Sequence, residues 1–230
     1  MAWIKVFDEL NIEAGFSTRE TTSDAKRASL IDECKVSGGM VVRPRLVHGK
    51  RIAVINEITD SYIEIPKTDG CITNVPGVTL TSTHGDCLAV YAYDRKTGAV
   101  GLCHAGWKGT LLGIAKEMIV AMGREYGSVP GDISCYISPG ISKCCFEVSD
   151  DVRDAFLAEL PWSVEYVSEK GNGKYLIDLK GINQRWLESV FVEDVQVSSL
   201  CTCCEKGMFY SYRRDKDAER MLAWIRCEER

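Results

Sequence analysis

Read for its hydrophobic and polar positions, the chain changes period most informatively between residues 82 and 109. Residues 87–93 alternate loosely and are rich in β-formers, residues 99–103 are short and apolar, and turn formers (Asp94-Arg-Lys-Thr-Gly98) lie between them. The pattern predicts a β-hairpin. In an antiparallel pair, the residue opening the first strand and the residue closing the second lie side by side at one end of the ladder, whatever the register. Those residues are Cys87 and His104. A thiol and an imidazole held together can make a metal site or a nucleophile and base pair.

The rest of the chain reads as alternating helices and strands. An edge strand is expected within residues 1–10, a loop at 15–19, and a helix over 23–36 capped by Ser23. Strands follow at 41–44, 52–58 and 62–65, with a brief extended piece inside 68–77. The apolar positions Leu111, Ile114, Ala115, Met118, Ile119 and Met122 predict a helix over 110–122, with Gly123 and Gly127 as stops. Beyond it come a strand at 132–138, a loop at 141–145, a helix at 149–160, a strand at 174–179, a helix at 181–190 and a strand at 195–200. An alternating strand near 209–212 and a last helix over 217–226 complete the reading. No linker, repeat or low-complexity segment interrupts it, so residues 1–230 are expected to form a single domain. Hairpins rule out a purely parallel sheet, and the fold class expected is α/β, layered, with mixed sheets flanked by helices.

Composition narrows the function. A hydrophobic content of 45% supports an ordinary core, and a net charge of −5 without any block of Lys and Arg argues against nucleic acid or a membrane surface as partner. Asp8 and Glu9 interrupt the start where a signal peptide needs an apolar run, and no later run approaches a bilayer span, so a cytoplasmic location is expected. The 11 cysteines are odd in number and lack an export signal, which reads as reduced thiols. Cys144-Cys145 and Cys201-Thr-Cys203-Cys204 suit neighbouring buried thiols better than a structural thiolate site. With 3 histidines in the chain, any imidazole site draws on His48, His84 and His104. His84 precedes Cys87 at metal-ligand spacing and rivals His48 on chemistry alone.

Seven segments, in order, carry a resemblance: Gly15-Phe-Ser-Thr-Arg19, Val47-His48-Gly49, Asp69-Gly-Cys-Ile-Thr-Asn-Val-Pro-Gly77, Gly85-Asp-Cys87, His104-Ala-Gly-Trp-Lys-Gly109, Cys144-Cys-Phe-Glu-Val148 and Phe209-Tyr-Ser-Tyr-Arg-Arg-Asp215. Together they make the chain similar, over nearly its whole length, to the YfiH-like laccase-domain family. That resemblance implies a YfiH-like fold and a zinc ion, or copper, held by His48, Cys87 and His104. It also implies phosphorolysis of adenosine, inosine and methylthioadenosine, deamination of adenosine, and substrate contacts from Arg19 and Ser17. The partners implied are a small purine nucleoside and phosphate, in a monomer or homodimer. Leu46 stands where the family usually has Gln, Gly85 where it has Ala, and no Gly-Gly follows Arg19. These departures bear on the shape and polarity of the substrate pocket, not on the ligand set.

Three nitrogen and sulfur ligands suit zinc and leave a fourth position open, the arrangement of a catalytic site. Zinc brings the pKa of a bound water to roughly 7, which suits deamination at C6 of a purine when a carboxylate shuttles protons. Asp86 is the candidate carboxylate for that task or for orienting a ligand histidine. Phosphorolysis needs an anion pocket, for which the start of the 110–122 helix, Lys108 and Arg19 are candidates. The alternatives are a Cys-His hydrolase, with Cys87 as nucleophile and His104 as base, for which the resemblance implies peptidoglycan precursors as substrate, a copper polyphenol oxidase, and a zinc-binding scaffold without turnover. A mononuclear site lacks the further copper ligands that four-electron oxygen reduction demands, which disfavours the oxidase.

Overall fold

The structure is a computed structural model that describes residues 3–7, 12–216 and 219–228. Two six-stranded mixed sheets stack face to face. The first runs Trp3–Lys5, Ala14–Ser17, Met221–Arg226, Val78–His84, Met40–Pro44, Tyr62–Ile65 across its width. The second runs Asp194–Val197, Ile133–Ile137, Leu88–Asp94, Val100–Ala105, Gly70–Thr73, Ile52–Ile55. A three-stranded sheet of Glu147–Val148, Lys174–Ile177 and Val167–Gly171 stands apart from both.

The period-2 geometry of a strand sorts the core into layers. In the central hairpin Ala89, Tyr91, Val100 and Leu102 point toward Phe16, Val42, Leu80, Ala223 and Ile225 of the first sheet. Leu88, Val90, Ala92 and Cys103 face the other way, toward helices Ile114–Tyr126 and Leu179–Glu188. The outer face of the first sheet is covered by helix Ser23–Ser37, whose Leu30 and Cys34 meet Val41, Leu222 and Trp224. Burial on both faces makes these strands near-continuous apolar runs, each fully buried Leu, Ile or Val contributing about 1.5–3 kcal/mol. The hairpin itself is as expected. Leu88–Asp94 and Val100–Ala105 pair antiparallel with Ala89 opposite His104, and Asp94 accepts from the Lys96 and Thr97 N–H groups at 2.8 and 3.0 Å to fold the turn.

Several expected elements differ. Residues 14–17 form a buried strand, not a loop, between Trp3–Lys5 and Met221–Arg226. The edge strand expected in 1–10 is Trp3–Lys5, with residues 1, 2 and 8–10 of that span outside the described residues. Thr22, not Ser23, caps the first helix by accepting from Ala25 N. The helix expected over 110–122 is two pieces, Trp107–Leu111 and Ile114–Tyr126, broken where Gly113 takes φ 73°. A Cβ there would also press on the Trp186 ring at 3.2 Å. Gly123 lies within the second piece, and Gly127, at φ 68°, ends it. In place of the strand expected near 209–212, residues 209–211 are irregular and lead into the short helix Tyr212–Asp215. The final helix expected over 217–226 is a strand, Met221–Arg226, in the interior of the first sheet; positions 217 and 218 lie outside the described residues. Its residues from Met221 to Ile225 are all buried, so no polar face remained for periodicity to register.

Candidate metal centre

The hairpin, one loop and the start of a short helix assemble the site. Cys87 stands just before strand Leu88–Asp94 and His104 is the penultimate residue of Val100–Ala105. His48 comes from the loop after Met40–Pro44, held at φ 60°. One ligand atom each from His48, Cys87 and His104 lie within 4.8 Å of one another, with His48 exposed, Cys87 half-buried and His104 buried. The two imidazole rings are 4.9 Å apart and nearly perpendicular.

His84 stays outside this group. Its Nδ1 donates to the Cys87 carbonyl at 3.1 Å, and its fully buried ring packs against Phe16 and, at 5.3 Å, against His104. Burial, reinforced by the charge of His104, holds its pKa well below the ordinary value, so it is a neutral spacer beneath the site.

A residue that the sequence reading passed over organises the two histidines. Asp69, completely buried, accepts from the N–H groups of Val47, His48 and Gly49 at 3.1, 2.7 and 2.8 Å. The same carboxylate lies 3.5 Å from His104 Nδ1, which leaves Nε2 as the nitrogen available to the cluster. Burial alone would raise its pKa. The His104 side chain and the N–H groups of Gly49 and His48 outweigh burial and bring it below the usual carboxylate range. Asp69 thus fixes the His48 loop and the His104 ring together, as carboxylates do behind metal-bound histidines. The Asp69-Gly70 pair at the head of a strand, inside one of the seven segments, was the signal for it.

Asp86 does something else. Held at φ 102°, its carboxylate accepts from Thr202 Oγ1 at 2.6 Å, Ser211 Oγ at 3.1 Å and Arg213 N at 2.6 Å. It pins the 201–213 loops beside Cys87, and Asp69 takes the histidine-orienting place considered for it.

Glycines at the helix start allow the close approach. A Cβ on Gly106 would sit 3.0 Å from His48 Cδ2, 3.1 Å from Cys87 Sγ and 3.4 Å from His104 Cε1, and one on Gly109 would sit 3.1 Å from Gly49 O. Trp186 Nε1 donates to Thr110 O, and Asn183 Nδ2 to Thr110 Oγ1, locking this short helix from behind. Lys108 is exposed in its first turn, its ammonium 5.5 Å from the Trp107 ring centre. Arg19 is held on a different loop, donating to Lys206 O at 2.6 Å and lying over Tyr210. Ser17 is 1% exposed and its hydroxyl accepts from Leu222 N, a sheet contact. Gly85, where the resemblance implies Ala, leaves room for Arg220, whose Cδ would be 2.6 Å from a Cβ at that position.

The electrostatics favour a thiolate. Burial raises the Cys87 pKa, but His104 and then His48 more than reverse it, to about 6. Burial lowers that of His104, but Cys87 and Asp69 bring it up to about 9. A deprotonated sulfur and two imidazoles within one ion's reach are a donor set that zinc and copper both accept.

This arrangement can be set beside known proteins. The sequence model of the family described as multi-copper polyphenol oxidoreductase laccase matches residues 4–228. The chain belongs to this family. Among laccase-family relatives, it is 39% identical over 172 residues to "Purine nucleoside phosphorylase YlmD" of Bacillus subtilis, a match covering 73% of this chain and 62% of the relative. It is 32% identical over 183 residues to "Adenosine deaminase RL5" from an unknown prokaryotic organism, covering 76% of this chain and 70% of that one. The crystal structure of YlmD from Geobacillus stearothermophilus superposes with a TM-score of 0.87 at 29% identity, over 100% of this chain and 97% of the other. The layered mixed α/β fold is that of these laccase-family structures. Among the described residues no helix is long and apolar enough to cross a membrane.

Proposed function

We propose that the chain is a zinc-dependent purine nucleoside enzyme that cleaves adenosine, inosine and methylthioadenosine with phosphate and deaminates adenosine. The observation carrying this reading is the convergence of His48, Cys87 and His104 around one point, backed by Asp69 and open on the His48 side. The names of the relatives point to the same substrate class.

In this reading His48, Cys87 and His104 hold the ion. Zinc there would supply a positive charge that polarises a substrate or water oxygen at neutral pH. Asp69 keeps the His104 ring in the tautomer that presents Nε2, and holds the His48 loop so that its ring does not swing away. The short helix beginning at Trp107 abuts the ligands, and Lys108 on its first turn, with Arg19 from a separate loop, is assigned to the phosphate. Phosphorolysis joins a phosphate oxygen to C1′ of the sugar as the bond from C1′ to the purine nitrogen breaks. Deamination adds water at C6 and releases ammonia.

One observation favours a second reading. The Cys87 and His104 pair, with their pKa values drawn toward about 6 and about 9, is also an activated nucleophile and its base. One experiment separates the two. Metal content is measured on chelator-free protein, which is then incubated with adenosine and inosine, with and without phosphate, and products are resolved by chromatography. Phosphate-dependent release of free base, lost in His104→Ala together with the metal, supports the first reading. Turnover of amide substrates by metal-free protein, abolished by alkylating Cys87, supports the second and overturns the first.

A further inference from the structure

The sequence supplies a second cluster of thiols, which the function above does not use. Cys144 and Cys145 follow strand Ile133–Ile137 on one loop, and Cys201 and Cys204 sit on the turn after Asp194–Val197. Within that turn Cys201 and Cys204 are spaced Cys-x-x-Cys, the separation that metal-binding turns use, while Cys203 between them packs on the hydrophobic core. The fold draws the two loops together through a bridge between Gly140 and Cys201 and a hydrogen bond from Thr202 N to Gly140 O at 3.1 Å.

We propose that Cys144, Cys145, Cys201 and Cys204 form a second metal centre, a closed tetrathiolate site for one Zn2+. Their four sulfurs lie within 4.8 Å of one another, and three of the separations are 3.8 Å (Cys144 to Cys145), 3.7 Å (Cys144 to Cys204) and 3.5 Å (Cys145 to Cys204). Four sulfurs at about 2.3 Å from a tetrahedral zinc stand about 3.8 Å apart along each edge. The sulfurs of Cys144, Cys145 and Cys204 therefore already stand close to the edge lengths of a loaded site, with that of Cys201 within 4.8 Å of each. All four are free thiols, at separations too long for disulfide bonds. A polynuclear iron-sulfur cluster would spread its thiolates over separate irons, so a single ion fits better.

The surroundings suit the charge. Four thiolates around Zn2+ leave an excess negative charge, and hydrogen bonds to sulfur together with a nearby cation offset it. Ser142 N donates to Cys201 Sγ at 3.4 Å. The ammonium of Lys180, only 6% exposed, is anchored by the carbonyls of Ser198 and Leu200 and acts electrostatically on Cys201 and Cys144. With four protein ligands and no open position, the ion would be structural.

What it would hold in place is visible. Arg213 donates to the carbonyls of Cys145 and Glu147 at 3.0 and 2.9 Å, and Arg214 to those of Thr202 and Cys203 at 3.0 and 2.9 Å. Thr202 and Arg213 N in turn hold Asp86, the neighbour of Cys87. The second ion thereby ties two surface loops to the wall of the first centre, through contacts that stand whatever reaction that centre performs.

The test is metal stoichiometry on protein purified with reductant and without chelator. About two zinc ions per chain are expected for the unmodified protein, about one in the double variant Cys201→Ser, Cys204→Ser, and about one in His48→Ala, His104→Ala. A wild-type measurement guards against misfolded variants: 113Cd-substituted protein should give one cadmium resonance in the all-thiolate range, distinct from that of the histidine-containing site. Full zinc retention by the Cys201, Cys204 variant overturns the proposal. So does the absence of an all-thiolate resonance, or a Cys144–Cys204 disulfide in protein purified anaerobically.

Discussion

Gly106 lies against all three candidate ligands, and Gly106→Ala tests that close approach. Backbone strain plays no part, because φ −69° and ψ 174° are open to any residue. The added methyl would meet His48 Cδ2 at 3.0 Å and Cys87 Sγ at 3.1 Å. Carbon contacts prefer about 3.5–4.0 Å, so both ligands must retreat by several tenths of an ångström. Overpacking of this kind costs about 1–3 kcal/mol. Metal-free ligands can spread to accommodate the methyl, whereas ligands on an ion cannot, so most of that cost falls on binding. At about 1.4 kcal/mol per factor of ten, zinc affinity should fall about tenfold to a hundredfold. Competition against a chromophoric chelator measures this, with thermal melting of metal-free protein as the companion assay. Melting should change little beyond the small loss from replacing a helix-capping glycine. Gly131→Ala, where a methyl meets nothing within 4 Å, is the control. Unchanged zinc affinity in Gly106→Ala would refute the placement of the three ligands around a common ion.

Asp69→Asn should keep the fold but lower zinc affinity by about 10–100-fold, since the carboxylate behind His104 and the His48 loop is neutralised; the same competition assay checks it. His84→Ala should retain bound zinc and His48→Ala should lose it, and metal analysis showing the reverse would overturn the ligand assignment. In metal-free protein, alkylation of Cys87 should rise through a midpoint near pH 6 and be close to its plateau at neutral pH, because the thiolate form grows as pH climbs past about 6. Cys71, which burial pushes up to about 12, should stay unmodified, and His104→Gln should move the Cys87 midpoint upward; peptide mapping after timed alkylation reads both. Asp86→Ala removes the acceptor for three buried or half-buried donors and should destabilise the protein by about 3 kcal/mol in urea unfolding.

The pairing of Cys87 with His104 could be read in advance because a hairpin constrains both ends of a ladder through local turn chemistry alone. His48 could not be placed that way. It reaches the hairpin through a left-handed residue and a loop, and the resemblance, not spacing, pointed to it. Asp69 is marked only by its place in one of the seven segments, because its partners are backbone N–H groups at 47–49, which residue types do not reveal. The cysteine loops, expected to hold neighbouring buried thiols, leave Cys144 and Cys204 exposed, and Cys203 interrupts in sequence the Cys-x-x-Cys spacing of Cys201 and Cys204. The doublet Arg213-Arg214 reads by default as a solvated pair or a carboxylate partner; Arg214 does pair with Asp215, and both side chains also donate to carbonyls of the 145–147 and 202–209 segments, which residue types do not reveal. Asp86 appeared to belong to Cys87 by adjacency, but its left-handed backbone turns the carboxylate toward the 201–213 loops.

The strand Met221–Arg226 is inserted between Ala14–Ser17 and Val78–His84 and is antiparallel to both. During synthesis on a ribosome, two ladders made from early residues must therefore wait, their hydrogen-bonding edges exposed, for residues made some 140 positions later than the nearer of them. Closure of the first sheet is then a late event of high sequence separation, the kind that slows folding and invites edge-to-edge association while it is pending. A nascent chain of this design has reason to engage a holding chaperone until that strand is in place.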